Sequence, residues 1–148
     1  MNIRFLRWSN LPRGLAVLTA FHLLLSPAYG EPPRSTFTTI LIKDLTRLVP
    51  AASFSRTDRI YLHTVWTGLT GSHEVKVLWI RPDKKVQETT RFAFSVPPGN
   101  TSYRTWAWLS FKKEMLNISG GEVKFIGAWK AHLFLDGKFL AEYSFFVS

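Results

Sequence analysis

Gly127-Ala128-Trp129-Lys130-Ala131-His132-Leu133-Phe134-Leu135, then Asp136-Gly137, then Lys138-Phe139-Leu140-Ala141-Glu142-Tyr143-Ser144-Phe145-Phe146-Val147 is the stretch that decides the fold. Both halves carry apolar residues at every second position. A strand turns successive side chains to opposite faces, so this period signals sheet rather than helix. Asp-Gly between two such runs is the strongest short-range hairpin signal, because a two-residue turn that matches strand twist needs positive φ at both central positions. The pattern predicts strands over 128–135 and 138–147. One face should set Trp129, Ala131, Leu133 and Leu135 against Phe139, Ala141, Tyr143, Phe145 and Val147.

Upstream of the hairpin the same period recurs. Strands are expected over 36–43, 58–67, 74–80, 86–96 and 102–111. Arg81-Pro82-Asp83-Lys84 reads as a turn with proline presetting the second position, and Pro97-Pro98-Gly99-Asn100 stops the strand before it. In 102–111 the row Tyr103, Thr105, Ala107, Leu109 faces opposite to Arg104, Trp106 and Trp108. Residues 112–121 could form one helical turn ended by Gly120-Gly121. About seven short strands with almost no helix indicate an all-β fold, an immunoglobulin-like antiparallel sandwich of two sheets. Its expected core includes Trp66, Trp79, Phe92, Phe94, Trp129, Phe145 and Val147, with Asp136 and Gly137 at the closing turn.

The hairpin, with its Gly-x-Trp opening, Asp-Gly turn and terminal Phe145-Phe146-Val147, resembles the end of small bacterial periplasmic immunoglobulin-like β-sandwich domains of unassigned function. Thr36-Phe37-Thr38-Thr39-Ile40, Trp79 before Pro82-Asp83, and Tyr103-Arg104-Thr105-Trp106 sit where such domains carry similar residues. Lys84 departs from the pattern, which favours glycine there, and Trp108 stands where a small residue is more usual. The resemblance implies a bacterial envelope protein and carries no catalytic residue across. Its motifs make a fold and do not name a function.

The N-terminus reads as an address. Arg4, Arg7 and Arg13 precede an apolar stretch, Leu15 to Leu25, and Ala28-Tyr29-Gly30 supplies small residues for cleavage, the order of a secretory signal peptide. The apolar run is too short for a spanning helix, which needs about 20 residues. Residues 1–30 are therefore expected to be a helical signal peptide, and 31–148 a single domain, periplasmic or extracellular, with no stable transmembrane anchor after processing. The chain has no cysteine, which excludes disulfides and thiol catalysis. Five of the six tryptophans and ten of the twelve phenylalanines follow residue 30, enough large rings for packing to stand in for cross-links.

Three of the 19 basic residues lie in the leader and none of the 10 acidic ones does, leaving the domain with a surplus of six positive charges. Such a surplus favours anionic surfaces. The charges are spread singly, apart from the doublets Lys84-Lys85 and Lys112-Lys113, so nucleic acid is not the expected partner. His63, His73 and His132 lie at no chelating spacing, so no metal or other cofactor is expected. Asp58, Asp83 and Asp136 occupy turn positions, where their carboxylates satisfy local backbone donors. No nucleophile elbow, phosphate loop or zinc-hydrolase helix is present, and an enzyme is not the expected reading.

One constellation invites a ligand. Arg104, Trp106 and Trp108 share a side of one strand, with Lys112 and Lys113 beyond. Turned outward, two indoles roughly 7 Å apart could stack on sugar rings or a partner's side chains, with cationic groups beside them for acidic substituents. The plainer alternative puts both tryptophans inside; it is preferred for Trp106, and Trp108 is open between the two. The expected role is a non-catalytic module that binds or scaffolds an envelope protein, with a carbohydrate-binding module on an acidic polysaccharide as the alternative. A further option is an oligomer through an unpaired edge strand, since Phe139, Leu140 and Phe146 could form a border where Glu142 is the only charge.

Overall fold

A computed structural model describes residues 35–111 and 122–148, all within the compact unit Pro32–Ser148. The leader and residues 112–121, with the helical turn expected there, lie outside the described residues.

Among the described residues there are eight strands: β1 (Thr36–Ile42), β2 (Ser53–Phe54), β3 (Ile60–Thr67), β4 (Gly71–Ile80), β5 (Val86–Val96), β6 (Ser102–Leu109), β7 (Gly127–Leu135) and β8 (Lys138–Val147). A four-residue helix, α1 (Glu122–Phe125), precedes β7. The strands make two sheets, β1-β3-β6 and β2-β8-β7-β4-β5. Neighbours pair antiparallel except β2, which runs parallel to β8. After Ile42 the chain crosses to the second sheet, pairs briefly as β2, and returns as β3. With β1, β3 and β6 in one sheet and β4, β7 and β8 in the other, the strand order is that of immunoglobulin-like sandwiches. Two-residue β2 is the strand that periodicity does not reveal, because two residues carry no period.

Between the sheets lies an aromatic core. Trp66, Trp79, Trp129 and Val147 are wholly buried and Phe145 nearly so. Trp129 stacks on Phe145 at 6.1 Å and meets Phe111 edge-on at 5.4 Å. A buried indole N–H must be paired or it costs about 1–3 kcal/mol. All three are paired: Trp66 donates to Thr105 Oγ1 at 2.8 Å, Trp79 to Thr90 Oγ1 at 3.1 Å, and Trp129 to the Phe125 carbonyl at 2.9 Å. Phe92 and Phe94, expected inside, pack against the core but are only partly buried. The reason is their strand: β5 is the border of its sheet, so their rings close the flank rather than fill the centre.

The closing hairpin differs in one respect from its alternation. Asp136 (φ 51°) and Gly137 (φ 80°) make the expected tight turn. Leu133 pairs with Ala141, yet Phe134 pairs with Phe139, so Leu140 is an extra residue, a β-bulge. One inserted residue exchanges the faces beyond it. Phe139, expected inward, is therefore 51% exposed, and Leu140 packs against the core in its place. The border expected at β8 is partly covered, since β2 pairs with Phe146 and Val147.

Candidate ligand-binding face

The outer face of the sheet β1-β3-β6 carries the ligand candidates. Inward on β6 lie Thr105, Ala107 and Leu109, all buried. Thr105 is small enough to receive the Trp66 indole and polar enough to bond it. That assignment sends Arg104, Trp106 and Trp108 outward by alternation. Trp106 is 50% and Trp108 43% exposed, so the inward placement preferred for Trp106 is corrected. Lys112 and Lys113 lie outside the described residues.

Register builds the rest of the face. Trp108 pairs with Tyr61, Trp106 with His63, and Arg104 with Val65; across β3, His63 also pairs with Ile40 and Tyr61 with Ile42. The Arg59 guanidinium lies 4.7 Å from the Trp108 ring centroid and donates to the Tyr61 hydroxyl at 3.4 Å. One face of Trp108 is thus already occupied by a cation. Arg59 was not legible as a site residue, because its place over Trp108 depends on a pairing between strands far apart in sequence. His63, flanked by Ile40 and Trp106, is only 6% exposed. Burial, and secondarily the Arg104 charge, hold its pKa below the ordinary imidazole value of 6.5. No Asp or Glu is found on the outward rows of β1, β3 and β6.

Two hollows flank the indoles. On one side a cleft of about 280 Å³ runs between β5 and β6, with Phe94 stacked on Tyr103 at 5.2 Å as its floor and Arg104 and Trp106 on its rim. On the other a cavity of about 490 Å³ is lined by Arg56, Arg59, Tyr61 and Phe111, with Asp58, which Lys43 holds, also in its wall. The face therefore offers aromatic surface with positive charge at both ends.

The remaining polar clusters have structural partners. His73 reaches Asp136 Oδ2 through Nδ1 at 2.7 Å and the Thr70 carbonyl through Nε2 at 3.1 Å. Asp136 also accepts the Glu74 backbone N–H at 2.8 Å, and His73 and that N–H together lower its pKa. Asp58 accepts from the Ser55 backbone and pairs with Lys43 at 2.7 Å. Asp83 accepts from the Lys85 backbone and from Arg81. Glu142 holds both Lys130 and His132 at 2.8 Å. Among the described residues no three His, Asp or Glu side chains gather within reach of one ion, and no helix is long and apolar enough to cross a membrane.

Comparison with family models and with curated protein sequences gives no match. Solved structures give distant likenesses at low identity. An immunoglobulin-like protein from Pseudomonas aeruginosa is 14% identical, with 80% of this chain and 100% of that one covered and a TM-score of 0.45. An alkylpurine DNA glycosylase from Pseudomonas fluorescens, bound to DNA containing an abasic site analog, is 12% identical over 76% of this chain and 30% of its own, with a TM-score of 0.49. A beta-glucosidase from Listeria innocua in complex with gluconolactone is 9% identical over 78% of this chain and 16% of its own, with a TM-score of 0.48. The chain thus spans under a third of the length of these two enzymes.

Proposed function

We propose that the chain is an exported, non-catalytic immunoglobulin-like module of the small periplasmic type, which docks a partner in the bacterial cell envelope through the outer face of β1-β3-β6. The observation that carries this reading is the half-exposed pair Trp106 and Trp108, set between Arg104 and Arg59 on strands whose outward rows carry no carboxylate. Tryptophan and arginine dominate binding energy where they are desolvated by a partner. Asp58, Asp83, Asp136 and Glu142 are engaged in turns and ion pairs, which suits a scaffold better than acid–base chemistry.

Trp106 is the anchor, because among the described residues no guanidinium or ammonium group stacks on its ring, whereas Trp108 is covered by Arg59. Trp106→Ala is expected to lower partner affinity about tenfold or more while changing stability by no more than about 0.5 kcal/mol, since the residue is outside the core. Capture from solubilised envelope fractions, wild type against Trp106→Ala, checks this. Equal capture by both would remove the face from the account.

The exposure of two indoles on one side of a strand also favours a second reading, a carbohydrate-binding module on an acidic polysaccharide. Electrophoresis through a gel containing polygalacturonate separates the two. Retardation of the wild type that Trp106→Ala abolishes selects the glycan, and unchanged mobility selects a protein partner.

A further inference from the structure

The strand directions divide the domain into two poles of unlike character. β1, β4, β6 and β8 end, and β3, β5 and β7 begin, at one pole, which therefore carries loops 43–59 and 81–85 and the approach to β7. Loops 68–70, 97–101 and 136–137 make the other. The first pole's two loops hold seven basic residues against three acidic ones. Of those three, Asp58 is held by Lys43 and Asp83 by Arg81, both at 2.7 Å, and Asp44 is folded back on Thr46. The opposite pole's loops hold one charge, Asp136.

Among the described residues the exposed aliphatic side chains follow the same division, whereas the exposed aromatic ones do not, Phe139 lying at the other pole. Leu48 is 40%, Val49 67%, Val86 53% and Ile126 41% exposed, and all four lie in these loops or at the strand ends they join. Val49 lines a hollow of about 380 Å³ together with Lys43, Asp44, Arg47, Pro50 and Ala51, and the exposed Leu48 precedes it in the chain. Soluble surfaces rarely cluster aliphatic residues at a cationic tip without a partner for them. A soluble polyanion without apolar surface would satisfy the cations and leave the aliphatic tip in water. A bilayer surface bearing anionic head groups accepts both, with basic side chains at the phosphate level and the short apolar tip in the interface below.

We propose that this pole docks the domain onto an anionic lipid surface, by insertion of Leu48 and Val49 and head-group contacts from Arg47, Lys84 and Lys85. The site is separate from the Trp106 face, so either can fail alone. The protein recovered after export is sedimented with vesicles of phosphatidylcholine, with and without phosphatidylglycerol. Binding is expected only with phosphatidylglycerol, and falls as salt screens the charges. Neutralising Arg47→Gln or Lys85→Gln should each weaken it about fivefold, and Leu48→Ser with Val49→Ser about tenfold or more. All of these side chains are exposed, so a thermal melt unchanged from wild type excludes misfolding, and Trp106→Ala should bind vesicles as wild type does. No binding to phosphatidylglycerol vesicles at low salt overturns the proposal. So does binding that ignores the serine substitutions, the behaviour of a bare polyanion site, and so does equal binding to soluble dextran sulfate with loss of vesicle competition.

Discussion

Lys84 has φ 65°, in the left-handed region that glycine enters without strain and other residues at about 1–2 kcal/mol. It closes the turn after β4, where its N–H donates to the Arg81 carbonyl at 2.9 Å. The departure from the glycine usual at that place is thus a local cost, not a different turn. Lys84→Gly should raise stability by about 0.5 kcal/mol, the strain relief less the extra chain entropy of glycine; a urea midpoint below wild type would contradict it. Thr105 is the opposite case, a residue whose small polar group is required. Thr105→Val keeps the shape but strands the Trp66 indole N–H, and is expected to cost about 1–3 kcal/mol in urea unfolding. His63 titrates below 6.5 when folded and near 6.5 when unfolded, so the unfolded chain binds more protons between the two values. Its stabilisation is complete above pH 6.5 and is lost as pH falls through the lowered value. Wild type should therefore lose stability across that window relative to His63→Gln, as the pH dependence of the urea midpoint would show.

The closing hairpin shows how far alternation reaches. Asp136-Gly137 located the turn, and Trp129, Phe145 and Val147 lie inside as the period requires. The bulge at Leu140 escaped, because one inserted residue leaves a sequence that still alternates on either side of it. Leu140→Ala should cost about 1–2 kcal/mol, less than a fully buried leucine, and Phe139→Ser less than about 0.5 kcal/mol. Thermal melts giving the reverse ranking would restore the unbulged register. β6 was legible in its rows but not in their direction, since Thr105-Ala107-Leu109 and Arg104-Trp106-Trp108 are both plausible interiors by size and hydropathy. What decides is Trp66, one indole from β3 that needs both room and an acceptor, and no local pattern in β6 records that demand. Arg59 over Trp108 is hidden for the same reason.

The two-sheet architecture is readable from the chain because its turns and periods agree except at β2 and at the register shifts in β8 and β5, and such agreement across levels is what specifies a fold. The ion pairs that span it give the whole domain a common acid response. Asp58, Asp83, Asp136 and Glu142 are each held below the usual carboxylate range, chiefly by hydrogen bonds from Lys43, Arg81, His73 and Lys130 in turn. Their contributions are present above about pH 4 and disappear together as pH falls through the lowered values. A urea midpoint that stays level below pH 4 would show these pairs to be idle. The division of the indoles has an optical consequence. Trp66, Trp79 and Trp129 sit in dry, fixed surroundings and should emit at short wavelength with strong near-ultraviolet dichroism, while Trp106 and Trp108 emit to the red from water. One unlabelled molecule thus carries two separable colours: the red band answers to whatever lands on the sheet, and the blue band reports whether the sandwich beneath is still closed.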